Sequence, residues 1–299
     1  MITVFTPTYN RAYIIDILYR SLLAQTNTEF EWIIVDDGST DNTEEYFQQI
    51  KQNKNPFPII YIKQSNGGKH RAINRGVHLA HGELFFIVDS DDYLTPNAIE
   101  KLYRWRDSLD YKLPWAGISG ARGYGENQYI GSVCDQKDYV DAKNTERDKY
   151  GLVGDKAEAY FTEVLKKYPF PEIEGENFIT EEVVWNAIAK DGYYLRWFKD
   201  IIYICNYLED GLTKNNTKYV RNPKGVLLWA RGQLSAFPKD FTKKLYAVDG
   251  YCVAVNGTKN NKTIAKELGV NRVWVFMVKT ARKIKGVLCS RKNAKKKMQ

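Results

Sequence analysis

Residues 84–96 read LFFIVDSDDYLTP: five apolar residues run straight into Asp89, Ser90, Asp91 and Asp92, and a proline closes the stretch. A short apolar run bounded by turn residues fits a buried strand, and three carboxylates within four positions repel one another unless a cation sits between them. The stretch therefore predicts a strand that delivers a cluster of acids to the edge of a sheet.

Outward from this point, the first hundred residues alternate between two periodicities. Ile2–Thr6, Trp32–Val35, Ile59–Ile62 and Leu84–Val88 read as strands. Between them, Ile14, Ile15, Leu18 and Leu22 recur at helical spacing, and Thr43–Ile50, His70–Ala80 and Pro96–Trp105 suit helices, the last with Pro96 in its first turn. Such alternation predicts an α/β fold: a Rossmann-like, mostly parallel sheet with helices on both faces. After about Tyr111 the pattern shifts to the glycine-rich GISGARGYGENQYIG (117–131), then to helical segments around Asp155–Lys167 and Glu181–Lys190. Residues 222–286 read as mostly helical, broken by NGTKNNK at 256–262.

Composition removes several function classes. With 43% hydrophobic residues in 299, the chain buries a core and is not disordered. Cys134, Cys205, Cys252 and Cys289 are far apart with no C-x-x-C pair, which argues against a zinc site, a redox motif or a disulfide framework and points to a reducing compartment. The opening MITVFTPTYN does not have the shape of a signal peptide, and no window is apolar for long enough to span a membrane, so the chain reads as cytoplasmic. The net charge of +8 is concentrated at the end: residues 279–299 carry Lys279, Arg282, Lys283, Lys285, Arg291, Lys292, Lys295, Lys296 and Lys297 and no acid. A solvated terminus and an attraction to anionic lipid or nucleic acid both account for such a tail.

In open parallel sheets ligands bind outside the carboxyl ends of the strands. Three of the strands end in polar clusters: Thr6-Pro7-Thr8-Tyr9-Asn10, Asp36-Asp37-Gly38-Ser39-Thr40-Asp41 and Asp89-Ser90-Asp91-Asp92. A single Asp there is ordinarily a helix cap or a turn residue. Two acidic clusters on one edge instead suit a hard divalent ion such as Mg2+ or Mn2+ that shares its ligands with a diphosphate. An EF-hand is excluded by Tyr93 and Leu94, which stand where a ligand and the sharp-turn glycine belong. NGGKHRAINRG (66–76) adds flexible backbone and the cations Lys69 and Arg71 at the start of a helix, a setting for phosphate. It is not a Walker loop, because His70 follows Gly68-Lys69.

Taken in order, VFTPTYNR, IIVDDGSTDNT, GGKHRAINRG, AHGELFFIVDSDD and a later GENFITEEVVWN with YLEDGLT resemble family-2 glycosyltransferases of the GT-A fold. The likeness is strong over residues 1 to about 110, partial over about 170–213, and ends near 220. It implies a catalytic domain over 1–220, with 1–110 as the nucleotide-sugar-binding half and 111–220 as the acceptor-side half, followed by a helical C-terminal extension over 221–299. The resemblance implies that Thr6, Pro7, Thr8 and Tyr9 line the base pocket, and that Asp37 or its neighbour Asp36 bonds the base or ribose. Asp89 and Asp91 match the family's D-x-D motif. Asp91 is then the metal ligand, Asp89 holds ribose or a metal-bound water, Ser90 lies between them, and Lys69 and Arg71 face the diphosphate. Glu181 or Glu182 would be the general base, and Thr213 falls where diphosphate is often contacted. The implied activity is metal-dependent inverting transfer of a sugar from a nucleoside diphosphate, with UDP expected, to a hydroxyl of a surface polysaccharide or lipid-linked glycan. Peripheral contact with the inner face of the plasma membrane would give the basic tail a use.

Two other readings compete. A sugar nucleotidyltransferase shares the sheet and its acidic edge, but wants a glycine-rich basic loop after the first strand, which TPTYNR does not supply. A DNA-binding or scaffold protein is suggested by KTIAKELGVNRVWVFMVKTARKIK (262–285), where Ala265, Gly269 and Val275 have helix-turn-helix spacing. The second helix, with Val273, Trp274, Val275, Phe276 and Met277, is more apolar than a groove-reading face allows. It suits packing on the catalytic domain or lying at a membrane surface.

Overall fold

A computed structural model describes residues 1–110, 112–206 and 217–297, with side chains as far as residue 284. The chain divides into two compact units, Met1–Glu172 with Val184–Lys214, and Ile173–Val183 with Asn215–Gln299. The sequence-based boundary at 220/221 kept residues 173–183 with the sheet; by contacts they belong with the C-terminal helices.

The first unit starts as the periodicity predicts: β1 (Ile2–Thr8), α1 (Ile15–Leu23), β2 (Phe30–Asp36), α2 (Thr43–Lys51), β3 (Ile59–Lys63), α3 (Lys69–Leu79) and β4 (Leu84–Ile87). β1 pairs in parallel with β2 on one side and β4 on the other, and β2 pairs in parallel with β3. β1, β2 and β4 are buried along their whole lengths, the polar Thr3, Thr6 and Glu31 included, as central strands covered on both faces must be. The chain moves outward from β1 to β3 and then returns to the other side of β1, which makes the β1/β4 edge the switch point of the sheet.

Beyond β4 come β5 (Tyr93–Leu94), α4 (Ala98–Asp107), β6 (Trp115–Gly125), β7 (Gln128–Tyr129), β8 (Tyr139–Ala142), β9 (Lys156–Phe161), α5 (Thr162–Lys167), α6 (Glu182–Lys190) and β10 (Tyr194–Ile204). The path across the sheet is β3-β2-β1-β4-β9-β6-β10-β5. Two expectations change here. Pro96 precedes α4, which begins after Asn97, so it is not in the helix's first turn. The glycine-rich 117–125 stretch is a long strand; at Gly117 a side chain would meet the backbone of Ala159 and Tyr160 in the adjacent β9, so the glycine permits a close strand approach. Lys156–Phe161, read as helical, is a strand inserted antiparallel between β4 and β6, with Ala157 and Ala159 in the main core. Helix-favouring residues give way there to the packing of a central strand.

The second unit is built of α7 (Thr217–Arg221), α8 (Pro223–Ala236), α9 (Phe241–Ala254), α10 (Asn261–Leu268) and α11 (Arg272–Lys297). Its core joins Trp229, Val248, Tyr251, Ile264, Leu268, Val275 and Val278. Pro223 opens α8, whose next two amides (Lys224 and Gly225) donate to the buried Glu176 carboxylate at 2.8 and 2.7 Å, so a side chain from 173–183 caps the helix. Among the described residues no helix is long and apolar enough to cross a membrane.

Candidate functional site

Parallel pairing brings the ends of β1, β2 and β4 to one edge: Thr8 lies opposite Asp36, and the amide of Val88 donates to the carbonyl of Phe5 at 2.8 Å. The loops leaving this edge are tied together. Asn10, at φ +52°, donates its amide to Ser39 Oγ at 2.8 Å, and its side-chain oxygen accepts from the amide of Thr40 at 2.8 Å.

The two acidic clusters differ in how they are satisfied. Asp36 is fully buried, and its oxygens accept from the Tyr61 hydroxyl at 2.5 Å and the amide of Ser39 at 2.8 Å. Asp37 accepts from Gln64 Nε2 at 2.8 Å and from the amides of Gly67 and Gly68 at 2.9 and 2.7 Å. Its carboxylate thereby fixes the turn before α3, at which Gly68 adopts φ +97°, a conformation that glycine takes without strain. Lys69, the first residue of α3, then reaches across the edge to Asp89 Oδ1 at 2.6 Å. Arg71 bends back to the Gly67 carbonyl at 2.5 Å and lies 3.5 Å from Glu172.

At the end of β4, the amide of Asp89 donates to the hydroxyl of Tyr203 at 2.9 Å, and that hydroxyl donates to Asp92 at 2.7 Å. Asp92 also accepts from the amide of Asn206 at 2.8 Å, so it locks the end of β10 and does not cap the turn before Pro96. Arg122, from β6, stacks over the Tyr203 ring at 4.2 Å and lies 3.8 Å from Asp89. Burial opposes charge on Asp89, but Lys69 and Arg122 outweigh it and hold the carboxyl below its usual range. Burial, followed by the Asp89 charge, pushes Asp91 upward and Asp92 up to about 6. Among the described residues no other side chain hydrogen-bonds or ion-pairs with the Asp91 carboxyl; its own backbone amide, Arg11 and Lys69 oppose the upward shift without overcoming it.

These residues fit a divalent ion. Asp91 is a hard oxygen donor whose charge is disfavoured by its surroundings, and a cation beside it would reverse that. Among the described residues no three His, Cys, Asp or Glu side chains converge, so an ion here would draw on Asp91, Asp89 and the oxygens of a substrate diphosphate.

Comparison with known proteins matches residues 3–167 to the family described as Glycosyl transferase family 2. The chain belongs to that family. A putative teichuronic acid biosynthesis glycosyltransferase, TuaG of Bacillus subtilis, is 36% identical over 223 residues, which cover 73% of this chain and 83% of TuaG. Two other curated relatives are each 38% identical, over 104 and 101 residues, and the chain spans only 34% and 31% of their length. Among solved structures, S. aureus TarS 1-349 in complex with UDP-GlcNAc superposes with a TM-score of 0.61 at 21% identity, covering 85% of this chain and 71% of TarS. The mannosyltransferase PcManGT of Pyrobaculum calidifontis, solved with GDP-Man and Mn2+, gives 0.55 at 17% identity, covering 98% and 79%. At these identities the structures show a shared fold, and the GT-A architecture expected from the sequence holds.

In this family-2 chain the remaining residues fall as follows. Thr6 is in the core, with Oγ1 accepting from Trp32 Nε1 at 2.9 Å; Pro7 and Thr8 are buried and Tyr9 is exposed. The Thr8 hydroxyl is buried and has no hydrogen-bond partner among the described residues. Ser90 is buried beside the two acids of the D-x-D sequence. Glu181 and Glu182 lie in the second unit, where Glu182 accepts from Trp229 Nε1 at 2.5 Å and Gln233 Nε2 at 3.0 Å. Thr213 lies outside the described residues. Arg122 and Tyr203 were missed in the sequence: an Arg within GISGARGYG and a Tyr within IIYI look like ordinary strand residues, and only the sheet order brings them to Asp89.

Proposed function

We propose that the chain is a metal-dependent inverting glycosyltransferase that moves a sugar from a nucleoside diphosphate, with UDP as the nucleotide, to a hydroxyl of a growing surface polysaccharide or lipid-linked glycan. The observation that carries this is the incompletely satisfied acidic edge at the switch point, where Asp91, with no side-chain hydrogen bond or ion pair among the described residues, lies beside an Asp89 already held by Lys69 and Arg122. Family membership and the resemblance of the motifs support the reaction class, and the relatives' cell-envelope names support the acceptor class.

In this reading Asp91 is the metal ligand and Asp89 its neighbour. Bound there, Mn2+ or Mg2+ would supply Lewis-acid stabilisation of the departing diphosphate. Lys69 is placed to exchange Asp89 for phosphate oxygens, and Arg122 keeps positive charge behind the acids. Thr8 and Tyr9 line the base pocket, and Asp37 acts by holding the loop that presents Lys69. Glu181 takes the proton of the attacking hydroxyl, with Glu182, which accepts from Trp229 and Gln233, as the alternative base. Peripheral contact at the inner face of the plasma membrane, through the basic end of the chain, belongs to the same reading.

Thermal melting against nucleotide sugars, with and without Mn2+, tests it. A ligand that binds only the folded state raises the melting temperature, so stabilisation by a UDP-sugar that requires Mn2+ is expected. No response to any nucleotide sugar in the presence of metal would overturn the proposal.

A further inference from the structure

Helix α11 has two apolar faces, and the core of its unit uses only one. Val275 and Val278 are buried against α8, α9 and α10. On the other side, Val273, Phe276, Met277 and Ile284 recur at helical spacing and are 58, 61, 43 and 56% exposed. At 100° per residue these four fall within an arc of about 100°, centred nearly opposite Val275 and Val278. Phe241, also exposed, lies 5.0 Å from Trp274 and widens the apolar surface at the first turn of α11.

Along α11 itself the charge is of one sign, and Arg282, on the side away from the stripe, pairs with Asp249 of α9 at 2.6 Å. From Arg272 to Gln299 the sequence contains ten Lys or Arg and no acid. Arg272 and Lys283 fall along one flank of the stripe, at the angles where a helix lying flat in a bilayer interface reaches lipid phosphates. In sequence, Val287 and Leu288 continue the spacing three and four positions after Ile284. A DNA-reading helix would present polar groups on the surface that here carries Phe276 and Met277. A soluble partner with an apolar groove would not call for a helix whose charged residues are all basic, whereas an anionic lipid surface matches both features.

We infer that α11 is an interfacial docking helix, which lays Val273, Phe276, Met277 and Ile284 into the headgroup region of an anionic membrane while Arg272 and Lys283 hold lipid phosphates. This deepens the membrane-contact part of the proposed function by naming the surface, and it does not depend on the transfer chemistry.

The test is co-sedimentation of the full chain with vesicles of phosphatidylcholine alone or mixed with phosphatidylglycerol, for wild type, Phe276→Ser, Ile284→Ser, the double variant, and a chain ending at residue 284. Wild type is expected to bind the mixed vesicles and not the neutral ones. Each single serine variant should weaken binding about tenfold, as the loss of one buried apolar side chain implies. Binding that falls on truncation but is unchanged in the double serine variant would assign the contact to the basic tail and overturn the helix. Light scattering that shows a wild-type dimer made monomeric by Phe276→Ser, with vesicle binding intact, would assign the stripe to a second copy. Binding of duplex DNA that Phe276→Ser abolishes, with no binding to vesicles, would also overturn the inference. UDP release from a UDP-sugar, measured without vesicles on the same samples, tests the transferase reading separately.

Discussion

The two acidic strand ends, Asp36-Asp37 after β2 and Asp89–Asp92 after β4, look alike in sequence and do opposite things in the structure. The first is saturated: Tyr61, Ser39, Gln64, Gly67 and Gly68 all donate to its two carboxylates. The second is left in tension, with Asp89 held by two cations, Asp91 with no side-chain partner among the described residues, and Asp91 and Asp92 both shifted upward by burial and by Asp89. A buried carboxylate whose acceptors are filled by backbone amides stabilises the fold. One whose charge is disfavoured in the folded chain waits for something positive. The difference separates scaffold from site where composition cannot.

Substitutions can break that contrast. Asp91→Asn should cost about 10²–10³ in turnover of a UDP-sugar while leaving the melting temperature unchanged or slightly raised, since it removes a charge that folding disfavours. Asp37→Ala should do the reverse as its first effect, lowering stability by about 2–5 kcal/mol in urea unfolding, because three donors lose their acceptor.

The scaffold side also carries an acid-sensitive group. His70, 2% exposed and one residue beyond Lys69, is held at about 4 by burial and then by Arg71, with Glu172 and Asp37 opposing. Its folded value lies below the unfolded one near 6.5, so the unfolded chain binds the extra proton first. Stability is therefore lost as pH falls from about 6.5 to 4, by an amount on the order of 2–3 kcal/mol. Urea midpoints across this range should show the loss in wild type and a correspondingly flatter profile in His70→Gln. The smallest effect is expected for Tyr203→Phe, which leaves the ring under Arg122 but removes the hydroxyl between the Asp89 amide and Asp92. Unfolding should show a loss of about 1–2 kcal/mol.

The halves of the chain were not equally legible. The first four parallel strands and their helices follow from period alone, because each strand is a mostly apolar run and each helix an amphipathic one. From β5 onward the signals conflict with the packing. KAEAYF (156–161) has helix-forming residues yet fills a gap between β4 and β6, where Gly117 lets the backbone of β9 approach closely. The acids of the site were visible because carboxylate clusters at strand ends are unusual. Arg122 and Tyr203 were not, since their importance comes from Asp89, on a strand end 33 and 114 residues away from them in sequence. The filling of Asp37 by Gly67 and Gly68 is likewise a property of the folded loop that the sequence does not show.

The central claim is that Asp91, and not the saturated pair at Asp36-Asp37, is the metal ligand of this chain. Electron paramagnetic resonance of Mn2+ in the presence of UDP measures this directly, by counting bound ions in wild type and in Asp91→Asn. One ion bound by the wild type when UDP is present, and lost in Asp91→Asn with the fold intact, is the result expected. Undiminished Mn2+ binding in Asp91→Asn would contradict it.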